Sequence, residues 1–326
     1  ILGIVGGNPA GRLSPGMNLA ALLAGPLAVP LSALAAVVLD RLLGEPGHWH
    51  PLIGFGRLAA AIERRLNRRT LTSGVLAWCL AVFPWVGLAL LLRTQATFLC
   101  DTLLLYFALG ARSLAEHAEA VASRLQADDL NGARLSVGRM VSRETSQLDV
   151  VGVTRAAIES VLENGNDAIF AVLFWFALFG GAGALLFRLA NTLDAMWGYR
   201  TERYLSYGRA AARIDDCLGW LPARLTALSY ALLGRTRPAL DCWRRQAPAW
   251  DSPNAGPVMA AGAGSLGVLL GGPAIYHGRE ERRPALGTGL PPLAADLTRA
   301  VALVRCSLWL WLISLFAIAA IRGLHA

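Results

Sequence analysis

Carboxylate, amide and guanidinium side chains are concentrated between Glu159 and Arg224, around one hydrophobic run of an otherwise mostly apolar chain. The stretch opens with ESVLENGND at 159–167 and resumes after the run with NTLDAMWGYRTER at 191–203. Charged and amide groups beside lipid-soluble helices are costly to desolvate unless they pair or bind something polar. The pattern therefore indicates polar chemistry at the edge of a membrane.

The first of these segments is rich in side-chain oxygens. Glu163, Asn164, Asn166 and Asp167 bring oxygen-bearing side chains into five consecutive residues. Such oxygens are typical ligands of Mg²⁺. Asn and Asp between two helix ends also serve simply as caps, and for any single residue here the capping explanation is equally good.

The second segment adds arginines to the carboxylates. Its polar members are Asn191, Asp194, Tyr199, Arg200, Glu202 and Arg203. The arginines suit phosphate oxygens held in forked hydrogen bonds, and Asp194 or Glu202 suits a magnesium ion shared with the same phosphates. A solvated interfacial helix with ion pairs is the alternative.

A third polar group follows on a predicted helix. Arg209, Arg213 and Asp216 fall at i, i+4 and i+7, so they share one helical face, with Asp215 beside it. Phosphate and metal binding would use this face. An Arg213–Asp216 salt bridge would explain the same spacing without any ligand.

Two glycine- and proline-containing motifs lie further along. In the turn SPN at 252–254, proline can stiffen the backbone and aim the Ser252 hydroxyl and the Asn254 amide at a ligand, although a plain turn has the same composition. GAGSLG at 262–267 matches the GxGxxG pattern of dinucleotide sites. No strand is predicted before it, so close helix packing through small residues is the better explanation.

Composition predicts the class of the protein. The 326 residues are 55% hydrophobic and 16% charged, which is more apolar and less charged than soluble domains and favours a membrane protein. The net charge of +8 resides largely in arginines at the ends of apolar segments, such as 57–69 and 235–245. This distribution fits anchoring beside anionic lipid and disfavours nucleic-acid binding. The five cysteines lack CxxC spacing, so neither disulfides nor zinc are predicted.

Hydrophobic runs predict the membrane-spanning helices. Clear runs occupy 18–39, 74–92 and 300–321, and shorter or interrupted runs occupy 96–110, 168–190 and 221–234. Gly180, Gly181 and Gly183 in the middle of one run permit a break or a re-entrant turn. The basic residues of 63–69 place that loop in the cytoplasm, and residues 111–167 then return to the same side.

The region between the third and fourth runs is predicted to be a helical insert. Leu114, Ala118, Val121 and Leu125 recur at helical spacing, and the last helix of the insert is expected to end at Asn164-Gly165. No β-alternation of useful length is visible. The predicted fold class is all-α, a polytopic integral membrane protein with about five or six apolar helices and a cytoplasmic helical insert.

These elements divide the chain into consecutive regions. Met17 immediately precedes the first apolar run, which makes residues 1–16 a candidate dispensable leader, while the first run itself is expected to stay attached. The other regions are transmembrane helices (17–110), the cytoplasmic insert (111–167), a membrane and interfacial catalytic region (168–234), a loop and small-residue region (235–296) and a C-terminal transmembrane helix (297–326).

An ordered series of motifs is more specific than any single group. It comprises LDRLLGEP at 39–46, HP at 50–51, RSLAEHAEAV at 112–121, GRMVSRETSQLD at 138–149, ESVLENGND at 159–167, FRLANTLDAMWGYRTERY at 187–204, ARIDDCLGWLPARLTA at 212–227, SPNAG at 252–256 and GGP at 271–273. Over about residues 18–292 the chain resembles the adenosylcobinamide-phosphate synthase family of cobalamin biosynthesis. It departs from that family in having ENGND where ENT and a nearby Asp are usual, and in lacking the Trp-Pro-Glu that commonly follows SPNAG.

The resemblance implies an inner-membrane ligase with a cytoplasmic active site. It would use ATP and Mg²⁺ to form an amide between the propionate carboxyl of adenosylcobyric acid, an adenosylcorrinoid, and the amine of aminopropanol phosphate or aminopropanol. The implied partners are these substrates, the lipid bilayer, and either further copies of the chain or other corrinoid-pathway enzymes, with no nucleic acid.

The same resemblance implies roles for the polar residues. The catalytic candidates are Glu163, Asn164, Asn191, Glu202 and Asn254, with Glu163 or Glu202 accepting the amine proton. The phosphate- or substrate-binding candidates are Arg139, Arg143, Arg200, Arg203, Arg213 and Ser252. The metal-binding candidates are Asp167, Asp194, Asp215 and Asp216.

Two other functional classes stay open at this point. A non-catalytic membrane sensor or regulator would share the general architecture, as a distant relative linked to β-lactamase regulation does, but the many polar motifs disfavour it. A corrinoid transporter would place charged residues at mid-membrane. The clear hydrophobic runs have their charged residues at the ends, so a transporter is less favoured than a ligase or a sensor.

Overall fold

The computed structural model describes residues 25–47, 50–276 and 278–324. The expected leader at 1–16 and the start of the run at 18–39 lie outside the described residues. The helices are α1 (Ala28–Leu43), α2 (Pro51–Leu66), α3 (Leu71–Arg93), α4 (Thr97–Ala108), α5 (Ala111–Gln126), α6 (Leu130–Val137), α7 (Val150–Gly165), α8 (Ala171–Phe179), α9 (Gly181–Trp197), α10 (Arg209–Leu233), α11 (Thr236–Gln246), α12 (Ala255–Leu266) and α13 (Ala294–Leu324). Strands β1 (Leu269–Tyr276) and β2 (Arg279–Gly287) form an antiparallel hairpin.

Four helical segments among the described residues are long and apolar enough to cross a membrane. They are Leu71–Arg93, Thr97–Gln126, Val150–Phe179 and Ala294–Leu324. Large apolar side chains such as Leu91 and Ile313 are exposed on them, as expected where helices face lipid. The mostly helical, polytopic membrane class is therefore confirmed, and the runs at 74–92 and 300–321 coincide with α3 and α13.

The predicted absence of strands is wrong for the region 235–296. This region contains α11, α12 and the hairpin, so it is not mainly a loop. Gly271 and Gly272 have positive φ and lie at a bulge opposite Pro284, which interrupts the pairing. Glycine and proline at a bulge hide the alternation by which a strand is recognised in sequence.

The predicted end of the insert at Asn164-Gly165 is also wrong. Helix α7 continues through a π turn at Asn166–Phe170 directly into α8. Gly165 keeps helical dihedrals, and a side chain there would collide with the Tyr230 hydroxyl, so this glycine serves close packing and not a left-handed cap. The boundary at 167 therefore falls inside one long helix, and the whole of that helix, Val150–Phe179, is a candidate span.

The expected break among the glycines of 168–190 is confirmed at Gly180. This residue has a φ of 66° and joins α8 to α9. The Gly181 N–H donates a hydrogen bond of 2.8 Å to Asp101 Oδ1, and Arg93 forms a salt bridge with the same carboxylate. This turn packs α9 back against α8, which brings the polar end of α9 towards the π turn.

The small residues at 262–267 serve helix packing, as predicted. All of α12 is buried. A Cβ on Gly262 would lie 2.6 Å from Leu162 Cδ2, and one on Gly264 would lie 2.7 Å from the Pro238 carbonyl oxygen. Only the missing side chains let these helices approach so closely.

Candidate functional site

A cavity of about 300 Å³ lies where the π turn, the end of α9, the start of α10 and the loop before α12 meet. Its polar lining residues are Glu163, Asn166, Asp167, Asn191, Asp194, Arg200, Asp215, Asp216, Asp251, Ser252 and Asn254. The charged groups among these described residues are six carboxylates and one arginine. We call this space the acidic cavity, because its charge favours cations or a cation-bound anion.

The π turn positions the innermost polar groups. The Asn166 amide donates a hydrogen bond of 2.8 Å to Asp167 Oδ1, and the Thr226 hydroxyl on α10 donates one of 2.9 Å to Asn166 Oδ1. A π turn inserts a residue into a helix and often marks a functional site. Glu163, four residues before Asp167, lies on the same helical face, and both line the acidic cavity.

Helix α9 supplies Asn191 and Asp194 from neighbouring turns. Asn191 lies beside both Asp167 and Asp215, so it bridges the π turn and α10. The Gly198 N–H donates to the Asp194 carbonyl at the helix end. A Cβ on Gly198 would collide with Asp194 Oδ1, so the glycine leaves room for this carboxylate.

Helix α10 and the turn before α12 close the other side. The Asp215 Oδ1 atom is buried and has no hydrogen-bond partner among the described residues. The Asn254 amide donates to the Asp216 carbonyl (2.9 Å) and accepts from Arg224 (3.0 Å). Ser252 Oγ accepts from the backbone N–H groups of Asn254 and Ala255. Ser252 and Asn254 thus fix the turn against α10, a positioning role.

Burial and mutual repulsion shift the pKa values of the aspartates outside the candidate spans. Burial first, and then the charges of Asp216 and Asp167, raise the pKa of Asp194 to about 6. Burial, followed by Asp167 and Asp194, raises the pKa of Asp215 well above its usual value. Burial also raises the pKa of Asp216, against the opposing effect of Arg200. Carboxylates that repel one another in this way are stabilised when a cation binds between them.

The acidic cavity fits Mg²⁺ that arrives with phosphate better than a stand-alone metal centre. Among the described residues, no group of three or more His, Cys, Asp or Glu side chains is close enough together to hold one ion. Mg²⁺ commonly uses one or two carboxylates, with phosphate oxygens and water completing its coordination. Asp194 and the unpartnered oxygen of Asp215 satisfy that smaller requirement.

Several of the residues singled out in the sequence lie away from the acidic cavity. Helix α9 ends at Trp197, and the turns at 201–207 carry the next polar side chains outward. Glu202 is exposed and forms a salt bridge of 2.7 Å with Arg69, while Arg203 binds the Glu63 carboxylate with two nitrogen atoms. The continuous interfacial helix considered above is not formed there.

The remaining arginines and Asn164 are also placed elsewhere. Arg143 forms a salt bridge with the buried Glu159. Arg213 is exposed, and the Arg213–Asp216 salt bridge that was the alternative explanation of their spacing is not formed. Asn164 and Arg139 line a separate cavity on another side of α7. The four predicted metal ligands, by contrast, all line the acidic cavity.

Sequence reasoning missed three contributors to this region. Asp251 lines the acidic cavity and pairs with Arg200 at 3.4 Å, and its position directly before SPN was the available signal. Gly198 follows Asp194 by four residues, which is a helix-end signal. Arg188 interrupts an apolar run, and a charged residue inside such a run is a signal in itself.

Comparisons with known proteins agree on one family. The profile of the family described as "CobD/Cbib protein" matches residues 33–304. Relatives named cobalamin biosynthesis protein CobD include one from Stutzerimonas stutzeri, 57% identical over 295 residues (89% of this chain, 97% of the relative). Others are from Chromobacterium violaceum, 55% identical over 303 residues (89% and 97%), and Mycobacterium tuberculosis, 40% identical over 288 residues (84% and 91%). No solved structure matches the chain.

Proposed function

The chain belongs to the CobD/Cbib family of cobalamin biosynthesis, and on that premise we propose that it is an ATP- and Mg²⁺-dependent amide ligase. The reaction would join the propionate carboxyl of adenosylcobyric acid to the amine of aminopropanol phosphate, or of free aminopropanol. The observation that best supports this proposal is the acidic cavity. It gathers the predicted metal ligands together with Arg200, Ser252 and Asn254.

Amide formation from a carboxylate has two chemical requirements. The carboxylate oxygen must become a good leaving group, and the amine must lose its proton before or during attack. ATP would supply the phosphoryl group for the first requirement, with phosphate as the group that the amine displaces, and bound Mg²⁺ would neutralise the charge on the ATP phosphates. The chain's own residues would bind and orient the substrates and accept the amine proton.

The aspartates would hold the phosphate-bound cation. Asp194 and Asp215 are the principal ligands in this proposal, with Asp167 and Asp216 completing the acidic wall. Arg200 is the arginine of the cavity and would contact phosphate once it is released from its exposed pair with Asp251. A triphosphate without its cation would be repelled by six carboxylates.

Glu163 is the better candidate to accept the amine proton. It lines the acidic cavity, whereas Glu202 is exposed and paired with Arg69. Asn191, which lies beside Asp167 and Asp215, would hold these two carboxylates in position. Positioning of this kind accounts for much of the catalysis when a reactant such as ATP already supplies the activating group.

The bulky corrinoid would approach from the cytoplasmic side of the inner membrane. Ser252 and Asn254 at the cavity are continuous in sequence with α12 and the hairpin, which would offer a broad surface for it. The basic residues of 63–69 support a cytoplasmic location for their end of the molecule. Partners within the corrinoid pathway would bind on the same side.

The proposal is tested by product formation with purified, detergent-solubilised protein. Adenosylcobyric acid, aminopropanol phosphate, ATP and Mg²⁺ are supplied, and the corrinoid is examined by mass spectrometry for the mass gain of one amide. Asp194→Asn should abolish the gain, and Asp241→Asn, at an exposed aspartate paired with Arg245, should preserve it. Folded wild-type protein that gives no product with phosphorylated or free amino alcohol would favour a sensor or regulator.

A further inference from the structure

A second polar cavity lies against α7 and the π turn, on a different face from the acidic cavity. Its volume is about 180 Å³, and its polar lining includes Arg139, Arg188, His117, Ser160, Asn164 and Glu45. Ser160 and Asn164 are four residues apart and share a helical face, while Glu163 and Asp167 line the acidic cavity. We call this second space the basic cavity.

Arg188 is the most informative group in the basic cavity. Its Nε atom is buried without a hydrogen-bond partner among the described residues. Glu45 and Asp167 attract it electrostatically, but neither forms a salt bridge with it. A partly buried guanidinium with no bonded anion, and with its Nε atom fully buried, is expensive, so an arginine kept in this position favours an anionic ligand.

The other polar groups complete a site for a small anion. Arg139 reaches the same cavity from the segment after α6 and, within the described chain, has no ion-pair partner. The Asn164 amide donates to the Ser160 carbonyl and hydroxyl oxygens, and the Ser160 hydroxyl donates to the Met140 carbonyl, which fixes this wall. Glu45 is the carboxylate of the lining, so the two arginines leave a net positive charge.

The size of the basic cavity limits the ligand. A volume of about 180 Å³ corresponds to about six water molecules at liquid density, which suits a phosphate group and is too small to enclose a nucleotide or a corrinoid. Phosphate oxygens also match the forked donors of arginine. We propose that the basic cavity binds a phosphate-type oxyanion, held by Arg188 and Arg139, and that the source is a small soluble phosphate monoester.

A lipid headgroup could supply the same chemistry. Arg188 also lines an apolar cavity of about 520 Å³ between α2, α3, α4 and α9, where an acyl chain would fit. The participation of Arg139 favours the soluble source, because Arg139 lines the basic cavity but not the apolar one. The inference does not depend on the proposed ligase reaction, since its readout is phosphate binding in the absence of ATP and Mg²⁺.

Calorimetric titration of the full chain in an uncharged detergent tests the inference, with inorganic phosphate as the probe. Arg139→Gln should weaken phosphate binding about tenfold, as expected for a lost charged hydrogen bond, and Arg188→Gln should weaken it further. The matched control Arg124→Gln, at an exposed arginine paired with Asp129, should leave the affinity unchanged.

Parallel titrations identify the source and the specificity. Acetate at equal ionic strength should not compete with phosphate, and dihexanoyl phosphatidic acid should bind no more tightly than phosphate. Absence of phosphate binding to folded wild-type protein, equal affinity in all variants, or binding of phosphatidic acid alone would each overturn the inference. If Arg188→Gln does not fold by thermal scanning, Arg139→Gln still decides the outcome, because its side chain is exposed.

Discussion

Replacing Glu159 with glutamine should release the β1–β2 hairpin from helix α7. The Glu159 side chain is only 1% exposed and accepts a hydrogen bond of 2.7 Å from the Gly271 N–H. It also binds Arg143 and Arg283, whose side chains are 10% and 11% exposed. This carboxylate therefore joins the hairpin to α7 through one backbone contact and one ionic partner, and it also holds Arg143 of the segment that precedes α7.

The magnitude follows from what the substitution leaves behind. Glutamine retains an oxygen for the Gly271 N–H but removes the negative charge between two buried guanidinium groups. Removing one partner of a buried ion pair costs about 3–5 kcal/mol. At the lower value, the population of the detached hairpin rises about 150-fold, because about 1.4 kcal/mol corresponds to a factor of ten.

Hydrogen exchange detected by mass spectrometry measures this opening directly. Amides of β1 and β2 should exchange about 10² times faster in Glu159→Gln, while those of α3 should be unaffected. The matched control is Arg282→Gln, which removes a 92% exposed arginine from the same hairpin and should change exchange by less than about threefold. Unaltered hairpin exchange in Glu159→Gln, or an equal effect in the control, would refute the reasoning.

Three further predictions concern the cavity and the packing. Asp215→Asn should lower Mg²⁺-dependent product formation by about 100-fold or more. Its Tm should not fall, because the substitution removes a buried charge that repels its neighbours. Asp241→Asn is the control, and normal turnover in Asp215→Asn would exclude Asp215 as a ligand. The pKa of Asp194 is raised from 3.8 to about 6, so the folded state favours the protonated carboxyl. The stability of the protein without Mg²⁺ should therefore fall as the pH rises from about 4 to 6. Tm measured across that range should show this fall in the wild type, and Asp194→Asn should lack the part of it that comes from Asp194. Gly262→Ala places a Cβ 2.6 Å from Leu162 Cδ2 and should cost about 1–3 kcal/mol by denaturant unfolding, whereas Gly87→Ala, with open space around it, should not destabilise the protein.

Glu163, Asp194, Asp215 and Asp216 of the acidic cavity were predictable because they lie on regular helix, whereas Asp251 lies in a loop and was missed. Spacing places Asn191 with Asp194 and identifies the Asp215–Asp216 pair. Their convergence was not predictable, since it depends on the positive φ of Gly180 and on the π turn at Asn166–Phe170. Neither feature has a periodic signature in sequence.

The misplaced residues have a common physical cause. Glu202 and Arg203 were expected to act beside Asp194 on magnesium and phosphate, but α9 ends at Trp197 and the following turns carry both residues outward. Glu202 pairs with Arg69 and Arg203 pairs with Glu63, two partners that lie far away in sequence. Long-range pairing of this kind depends on tertiary structure, so local spacing does not predict it.

Helical spacing explains why one helix can line two cavities of opposite charge. In an α-helix each residue advances by about 100° around the axis, because there are 3.6 residues per turn. Residues four positions apart therefore lie within about 40° of each other, whereas adjacent residues point about 100° apart. Glu163 and Asp167 accordingly both line the acidic cavity, whereas Asn164 and Ala168 line the basic one. Asp167 in the acidic cavity and Arg188 in the basic cavity attract each other through the helix that separates the two cavities. An anion bound at Arg188 would offset part of the arginine's charge. The Asp167 carboxylate would then be less stabilised by Arg188, and a cation in the acidic cavity would stabilise it more.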